Sequence, residues 1–342
     1  MIYSRSPDPG LVLRGIVPLL GMILSGCVSH GARLAGTPAL AHREAAVELA
    51  GVPFFPQEEF QCGPAALATV LGAAGYPVTP EALVPEVYTP ALEGSLQPEL
   101  LGAARRRGLL AYELPPTLDA LAAELVRGRP VLILQNLGVR SLPVWHYAVV
   151  IGADPGAEQI FLRSGTDPRL VESSGRFMRN WTLAEQWAVV ILHPGEMPAN
   201  PDPERYHRAV IGLEAAKRYP EAARAWQAAL ALWPGDSVAM FGLGNALYAE
   251  GDVDGARSAW ERYVREKPDD PAGLNNLAVA LAESGCPRRG LELAEDALSM
   301  LSPGDRIYQE VRRTVDDLRA ESTAEGAGNC RLPEDSTGPA PR

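Results

Sequence analysis

Cysteine is scarce in this chain, with four residues among 342, at positions 27, 62, 286 and 330. No two of them form a Cys-x-x-Cys pair, and none has a histidine at metal-ligand spacing. This pattern argues against a zinc site. If Cys27 and Cys62 have other roles, only Cys286 and Cys330 remain to pair in an oxidising compartment.

Basic residues are also outnumbered, because 31 Lys and Arg stand against 42 Asp and Glu and give a net charge of -11. Nucleic acid is therefore excluded as a main partner, since binding phosphates needs clustered Lys and Arg. The remaining composition, with 46% hydrophobic and 21% charged residues, is that of ordinary globular proteins. At this length it predicts two folded domains.

The N-terminus lacks a hydrophobic run long enough to span a membrane, because its apolar stretch covers only residues 16–24. Arg5 and Arg14 precede this stretch, which is typical of an export signal. The stretch ends in Leu-Ser-Gly-Cys at residues 24–27, which resembles the lipobox of bacterial lipoproteins.

The lipobox resemblance implies that residues 1–27 are a signal peptide and that Cys27 is lipidated as the mature N-terminus. Val28 follows the cysteine where Asp would signal retention, which favours the outer membrane, facing the periplasm. The chain would then sit in a bacterial cell envelope, with the lipid as its only membrane contact. The alternative is an ordinary cleaved signal peptide or a short buried helix.

After the signal, the chain divides into a tether, a mixed domain, a linker and a helical domain. Residues 28–48 lack periodicity and predict the tether. Residues 49–195 predict an α+β domain with an antiparallel sheet, since helical patterns come first and strand patterns follow. Helical patterns cover residues 64–74, 80–88, 97–107 and 117–127, and strand patterns cover residues 130–135, 146–153, 159–163 and 187–192. The proline-rich residues 196–202 predict the linker.

From residue 203 onward a helical pattern recurs every 34 residues, in copies that begin at 203, 237 and 271. The same register position holds Trp226 and Trp260 in the first two copies. Period and pattern resemble the tetratricopeptide repeat. Residues 203–321 are therefore predicted to form an all-α solenoid that ends in a capping helix, and the polar residues 322–342 a disordered tail.

Cys62 precedes Gly63 and Pro64 at the start of an apolar helical pattern. Proline suits the first turn, where its missing N–H costs least. The helix dipole and the free N–H groups at such a start stabilise a thiolate, the nucleophilic form of cysteine. The alternative is that Cys62 is a packed small residue without chemistry.

His146 opens an alternating strand pattern. A histidine at the end of a strand can face a helix-borne thiol across a cleft. The pair would act as a cysteine hydrolase, in which the imidazole takes the thiol proton and later protonates the leaving amine. An isolated strand histidine with a structural role is the alternative.

Gln57, the run Cys-Gly-Pro-Ala-Ala at residues 62–66, and His146 followed by Tyr147 together resemble the bacteriocin-processing cysteine peptidases. This is family thirty-nine of the cysteine peptidases, which cleave double-glycine leaders and have a papain-like fold. The resemblance covers residues 50–195, and a branch of exported lipoproteins joins such a domain to tetratricopeptide repeats. It implies that Cys62 is the nucleophile, His146 the general base and Gln57 an oxyanion donor.

Two positions depart from the family pattern. Gln57 lies five residues before Cys62 where the papain-like pattern has six, so Gln61 remains a rival donor. The acid that orients the imidazole usually ends the next strand, often within Asp-Pro. Asp167 fits that dipeptide and is our prediction, although Ser164 occupies the expected place. Ser164, Thr166 and Asn136 stay as alternatives, and Asp154 is assigned to a turn.

These observations predict a lipid-anchored cysteine peptidase that acts on a peptide or protein substrate and binds a protein partner through its repeats. The chemistry needs no organic cofactor and no metal. Two alternatives stay open. One is a peptide-binding scaffold lipoprotein without catalysis, and the other is a papain-like acyltransferase that passes the acyl group to an amine.

Overall fold

The computed structural model describes residues 34–41, 43, 45–57 and 61–324. The predicted signal peptide with Cys27, and the tail from residue 325 onward, lie outside the described residues. Within the described part, no helix is both long and apolar enough to cross a bilayer. The order of elements confirms the predicted fold class, an α+β domain with an antiparallel sheet followed by tetratricopeptide repeats.

Seven strands form one antiparallel sheet in the order β2-β7-β3-β4-β5-β6, with the short β1 pairing with the far end of β4. The strands are β1 (Val47–Glu48), β2 (Leu110–Glu113), β3 (Val131–Asn136), β4 (Trp145–Asp154), β5 (Gln159–Ser164), β6 (Asp167–Ser173) and β7 (Ala188–Leu192). The Nε2 of Gln135 on β3 donates to the Oε2 of Glu172 on β6 at 3.3 Å. Two strands separate these partners in the sheet order.

Each face of the sheet is covered by its own apolar cluster. One face packs on α1 (Cys62–Ala73), α2 (Pro80–Val87) and α3 (Gln97–Arg106) through residues such as Leu67 and Val149. The other face packs on α4 (Leu118–Val126) and α5 (Ser174–Thr182). The alternation of β4 explains this division, since successive side chains of a strand point to opposite faces. Thus Val149 and Ile151 join the first cluster, and Ala148 and Val150 the second.

Besides β1, the sequence prediction lacked three elements that the described part of this domain contains, β2, β6 and α5. Strand β2 is only four residues long, and β6 has an exposed, polar burial pattern, so neither gives a strong period-two signal. Helix α5 follows β6 directly and is capped by Ser173, whose side chain accepts from the backbone N–H of Arg176 at 3.4 Å. Its buried face, Phe177 and Trp181, packs on the sheet.

The predicted tether is wrong from Leu34 onward. Leu34 and Leu40 are fully buried, and Val47 pairs with Ala153 of β4. The backbone N–H of Leu34 donates to Glu158 at 3.0 Å, and that of Ala39 donates to Asp119 at 2.8 Å. These partners lie 80 or more residues away, so the local sequence carries no signal of the docking.

Up to Ala324, where the described residues end, seven helices follow the sheet domain. They are α6 (Pro203–Ala215), α7 (Tyr219–Leu232), α8 (Ser237–Glu250), α9 (Val253–Glu266), α10 (Pro271–Glu283), α11 (Pro287–Ser299) and α12 (Tyr308–Ala324). Aspartates at 202, 236, 252 and 270 cap four of them, each accepting a backbone N–H in the first turn. Val311, Val315 and Leu318 of α12 are buried against α10 and α11, as a closing helix requires. Cys286 is buried and disulfide-bonded, while Cys330 lies outside the described residues.

The segment predicted as a linker is packed against the sheet domain. The backbone N–H of Ala199 donates to Glu124 at 2.6 Å, and Arg129 donates to the carbonyl of Met197 at 3.1 Å. Beyond it, Tyr206 of α6 stacks near Tyr112 of β2, with ring centroids 6.5 Å apart. The apolar cluster on this face of the sheet continues into the first repeats without a break.

Candidate active site

Cys62 is the first residue of α1 and lies half-buried where that helix meets the sheet. The helix forms because eight of the nine residues from Gly63 to Leu71 are apolar, and all nine are buried. Leu67 and Leu71 hold it on the sheet in the same cluster as Tyr147 and Val149 of β4. The packing of α1 on the sheet therefore fixes the position of the thiol at the N-terminal end of the helix.

Gly63 is required by a close approach at this point. A Cβ added there would lie 2.3 Å from the hydroxyl oxygen of Ser95, in the segment that precedes α3. The hydroxyl of Tyr147 donates to the carbonyl of Ser95 at 3.2 Å and fixes the same segment. The glycine beside the cysteine is thus explained by packing around the thiol.

Strand β4 brings its first residues to the thiol. A backbone hydrogen bond from Tyr147 reaches Cys62 and acts to lower the pKa of its thiol, as do the backbone groups of Gly63 and Cys62 itself. His146 is the residue immediately before Tyr147 on the same strand. The fold therefore brings the backbone next to His146 against the sulfur of Cys62.

The imidazole of His146 has a partner on the neighbouring strand. Its Nε2 lies 2.8 Å from the hydroxyl oxygen of Ser164, the last residue of β5. Ser164 is buried and is followed by a turn in which Gly165 has a φ of +59°, a conformation that glycine adopts without strain. No hydrogen bond joins the other ring nitrogen, Nδ1, to any residue in the described part of the chain.

Asp167, predicted as the third member of the site, does not hold the imidazole. It is exposed, pairs with Ser164 across the β5–β6 turn, and accepts the backbone N–H of Arg169 at 2.8 Å. The alternative Asn136 is occupied as well, accepting from the backbone N–H groups of Gly138 and Val144. Thr166 is exposed in the turn. Asp154 caps the preceding hairpin through Ala157, as assigned from the sequence.

Gln57 lies within reach of the same strand. Its side-chain Nε2 donates to the carbonyl of Tyr147 at 3.2 Å, and its backbone N–H donates to the carbonyl of Gly165 at 3.0 Å. A carboxamide has two N–H donors, so one remains for another acceptor. Gln61 precedes α1 as its N-cap residue and makes no capping bond with its side chain. Residues 58–60 lie outside the described residues, and both glutamines stay candidates.

Burial is the largest cause of the pKa shifts of Cys62 and His146. It raises the pKa of the Cys62 thiol more than the three backbone hydrogen bonds lower it. Burial also lowers the pKa of His146. The thiolate predicted from the helix start stays a prediction, and burial acts against it. Both shifts favour a neutral thiol and a neutral imidazole in the absence of substrate.

An apolar loop borders the site and was not predicted from the sequence. Residues 137–144 connect β3 to β4, and Leu142 and Val144 in this loop, with Trp145 at the start of β4, expose half or more of their surface. The loop leads directly into His146. Leu92 and Leu96, in the segment before α3, are exposed too. Exposed apolar side chains grouped beside a cleft are typical of a binding surface.

The described residues contain no cluster of three or more His, Cys, Asp or Glu that could hold a metal ion. That the chemistry needs no cofactor stays a prediction. The candidate chemistry depends on Cys62, His146 and their neighbours.

Comparison with known proteins gives a family match for the repeats. The family model for the tetratricopeptide repeat matches residues 208–271 and 251–306. No curated protein matches the chain. Among solved structures, the Yersinia enterocolitica type III secretion translocator chaperone SycD gives a TM-score of 0.34 at 17% identity, covering 35% of this chain and 85% of that one.

Two further structures are similar to part of the chain. A C39-like peptidase from Bacillus anthracis gives a TM-score of 0.38 at 18% identity, covering 43% of this chain and 98% of that one. The peptidase domain of Streptococcus ComA, a bi-functional ABC transporter in a quorum-sensing pathway, gives 0.34 at 21% identity, with 41% and 98% covered. At such low similarity, the chemistry must be argued from the residues of this chain.

Proposed function

We propose that this chain is an exported, lipid-anchored cysteine peptidase that hydrolyses peptide bonds, with Cys62 as nucleophile and His146 as general base. One observation carries the proposal: the thiol at the start of α1 is bound by the backbone of Tyr147, the residue after His146. A half-buried cysteine at a helix N-terminus and a histidine with a defined partner support the proposal.

In the proposed reaction, the Nε2–H of His146 donates to Ser164, so the lone pair at Nδ1 takes the thiol proton as sulfur attacks the scissile carbonyl. The imidazolium returns this proton to the leaving amine when the C–N bond breaks. Water that loses a proton to the imidazole then hydrolyses the thioester and frees Cys62. The N–H of Cys62 and an amide of Gln57 or Gln61 stabilise the oxyanion.

We assign the positioning of the imidazole to Ser164 in place of Asp167. A hydroxyl fixes the ring tautomer by accepting the Nε2–H, which is the geometric part of the task. A neutral hydroxyl stabilises an imidazolium less than a carboxylate does, which agrees with the lowered pKa of His146. The proposed base is therefore weak, neutral and ready to accept a proton.

The repeats and the anchor complete the proposal. Repeat arrays bind protein segments, so α6 to α12 are assigned to recruiting a partner or substrate. The lipid on Cys27 would hold the enzyme in the cell envelope, at the outer membrane facing the periplasm. The exposed apolar side chains of residues 137–145 suit a substrate with apolar residues near its scissile bond.

A second candidate is a peptide-binding lipoprotein without catalysis. Burial raises the pKa of the Cys62 thiol and lowers the pKa of His146, and both directions favour this candidate because they oppose formation of the thiolate–imidazolium pair. Acyl transfer is the third candidate, since the same thioester can react with an amine instead of water.

Cleavage of a peptide library separates these candidates. The full chain is incubated with peptides from a digested bacterial proteome, and new N-termini are counted by mass spectrometry, with Cys62→Ala as the control. We expect new N-termini with the unaltered chain alone. Peptides that are retained but not cut would contradict the peptidase and support the scaffold. Adding glycine ethyl ester reveals acyl transfer as products that are heavier by the captured amine.

A further inference from the structure

The chain between β3 and β4, residues 137–144, is an exposed loop that leads toward His146, and we call it the β3–β4 loop. Half of its eight residues are large and apolar, and each of these exposes 44% or more of its surface: Leu137, Val139, Leu142 and Val144. Exposed loops are usually mobile. A mobile loop loses conformational entropy when it binds a ligand, which weakens binding. What holds the β3–β4 loop in place therefore bears on what it can bind.

One buried side chain closes this loop. Asn136 is the last residue of β3 and is 1% exposed. Its Oδ1 accepts the backbone N–H of Gly138 at 2.9 Å and the backbone N–H of Val144 at 3.0 Å. These donors are the second and the last residue of the loop, so one carboxamide oxygen joins its two ends. Both lone pairs of this oxygen are thereby used.

Backbone contacts inside the loop accompany this closure. The N–H of Leu137 donates to the carbonyl of Val144 at 2.8 Å, and Val139 and Leu142 exchange two hydrogen bonds at 3.2 Å and 3.1 Å. A Cβ added at Gly138 would lie 2.3 Å from the carbonyl oxygen of Leu142, so only glycine permits this approach. The β3–β4 loop is thus a compact, cross-bonded turn whose apolar side chains stay exposed.

The packing of the sheet alone does not call for an asparagine at this place. The first four residues of β3 are apolar, and a buried carboxamide costs free energy unless it is hydrogen-bonded. Both bonds to the Oδ1 of Asn136 come from the β3–β4 loop. An ordered loop with exposed apolar side chains is what pre-organised binding requires, because little entropy is left to lose when a ligand docks. The fixed apolar surface, which ends two residues before His146, therefore indicates substrate recognition.

We propose that Asn136 is a positioning residue for substrate binding, which holds the β3–β4 loop in the conformation that binds apolar side chains of a peptide. Asn136 is buried and touches no substrate itself, so it acts through Gly138 and Val144. The peptide substrate is the occupant, because the loop continues directly into the strand that carries His146. The inference rests on the proposed peptidase function and adds the residue that controls the affinity for the substrate.

Amide hydrogen exchange tests whether Asn136 orders the loop. In the full chain, the N–H groups of Gly138 and Val144 should be protected from exchange although the loop is exposed, and Asn136→Ala should speed their exchange about tenfold. Asn136→Asp keeps an oxygen that accepts both N–H groups and should restore the protection. Asn275→Ala is the matched control, since Asn275 is 4% exposed in α10 of the repeats and its loss should leave the loop unchanged.

Kinetic measurements test whether the ordered loop serves binding. On a peptide found by the library assay, Asn136→Ala should raise KM about tenfold and change kcat by less than about twofold, because the loop must be ordered again each time a peptide binds. Asn136→Asp should recover most of the loss, and Asn275→Ala should equal the unaltered chain. The rate of Cys62 alkylation by iodoacetamide should be the same in all four chains, because this reagent is too small to need the loop.

Two results would overturn the inference. One is unchanged amide exchange in Asn136→Ala, and the other is a KM that stays that of the unaltered chain, whether or not kcat falls. If the unaltered chain cuts no peptide, the peptidase proposal fails separately. Retention of the library peptides on the immobilised Cys62→Ala chain then decides: weaker retention after Asn136→Ala is added supports the role, and equal retention overturns it.

Discussion

The sheet domain and the repeats position their polar side chains in different ways. In the sheet domain, His146 and Ser164 meet because two strands pair, and the backbone of Tyr147 meets Cys62 because α1 packs on β4. In the repeats, the same helical pattern recurs every 34 residues, and the first two copies share a tryptophan at one position. Glu214 in the first copy accepts the indole N–H of Trp226, whereas Tyr248 stands at the same position in the second copy. The comparison teaches that a site can arise from long-range pairing or from divergence within a repeated pattern.

The largest expected effect tests the sheet domain. His146→Ala should lower peptide turnover by about 10³-fold, because the thiol loses the group that accepts its proton. His193→Ala is the matched control, since His193 is exposed just after β7 and should leave turnover unchanged. Turnover is measured as the initial rate on a peptide found by the library assay. Equal rates for both variants would remove His146 from the proposed site.

The next effect tests divergence among the repeats. Trp226→Phe should lower the free energy of unfolding by about 1 kcal/mol more than Trp260→Phe, because it leaves the half-buried carboxylate of Glu214 without its donor. The loss of ring volume is common to both variants and cancels. Urea unfolding of each full chain measures the difference. Equal losses would mean that the two tryptophans are equivalent, contrary to the comparison.

A smaller effect distinguishes the two candidates for orienting the imidazole. Ser164→Ala should lower turnover about tenfold, which corresponds to one lost hydrogen bond that fixes the ring. Asp167→Ala should change turnover by less than about twofold, since its carboxylate binds only the Arg169 backbone. The reverse order of effects would restore Asp167 to the site.

The smallest effect concerns pH. Burial lowers the pKa of His146 in the folded protein below that in the unfolded chain, so the stability that depends on neutral imidazole is complete at neutral pH. It should fall as the pH drops below about 6.5, with a slope of at most about 1.4 kcal/mol per pH unit. His146→Gln lacks this decline. Urea unfolding at pH 7.5 and pH 5 measures the free energy of unfolding of the unaltered chain and of His146→Gln. If the unaltered chain gained stability relative to the variant at pH 5, His146 would be held in an ion pair, contrary to the prediction.

Much of the fold was predictable from the sequence because its signals are local. The helices α1 to α4, the strands β3, β4, β5 and β7, and the 34-residue repeat all follow from periodicity and turn residues. Elements fixed by distant partners were missed. Leu34 docks on the domain through Glu158, and α5 depends on packing against the sheet, so neither leaves a periodic signature.

The candidate site was predictable in part. The positions of Cys62 and His146 were predicted from a motif that reflects packing around the helix start, as Gly63 illustrates. Asp167 was predicted as the partner of the imidazole because it belongs to an Asp-Pro dipeptide. In the structure the partner is Ser164, which lies at the end of β5, the place that the family pattern gives to the acid. The turn at Gly165 ends β5 at Ser164 and directs Asp167 away. That the indole N–H of Trp260 has no acceptor among the described residues could not be predicted, since it depends on comparing contacts between repeats.

The most direct test of the central claim is the rate of Cys62 alkylation by iodoacetamide at pH 7, followed by mass spectrometry of the peptide that contains Cys62. If Cys62 and His146 form one site, His146→Ala should slow alkylation about tenfold, since the raised pKa leaves the thiol dependent on a nearby base. His193→Ala should alkylate at the original rate. Identical rates in all three chains would contradict the account, because the thiol would then react without the imidazole.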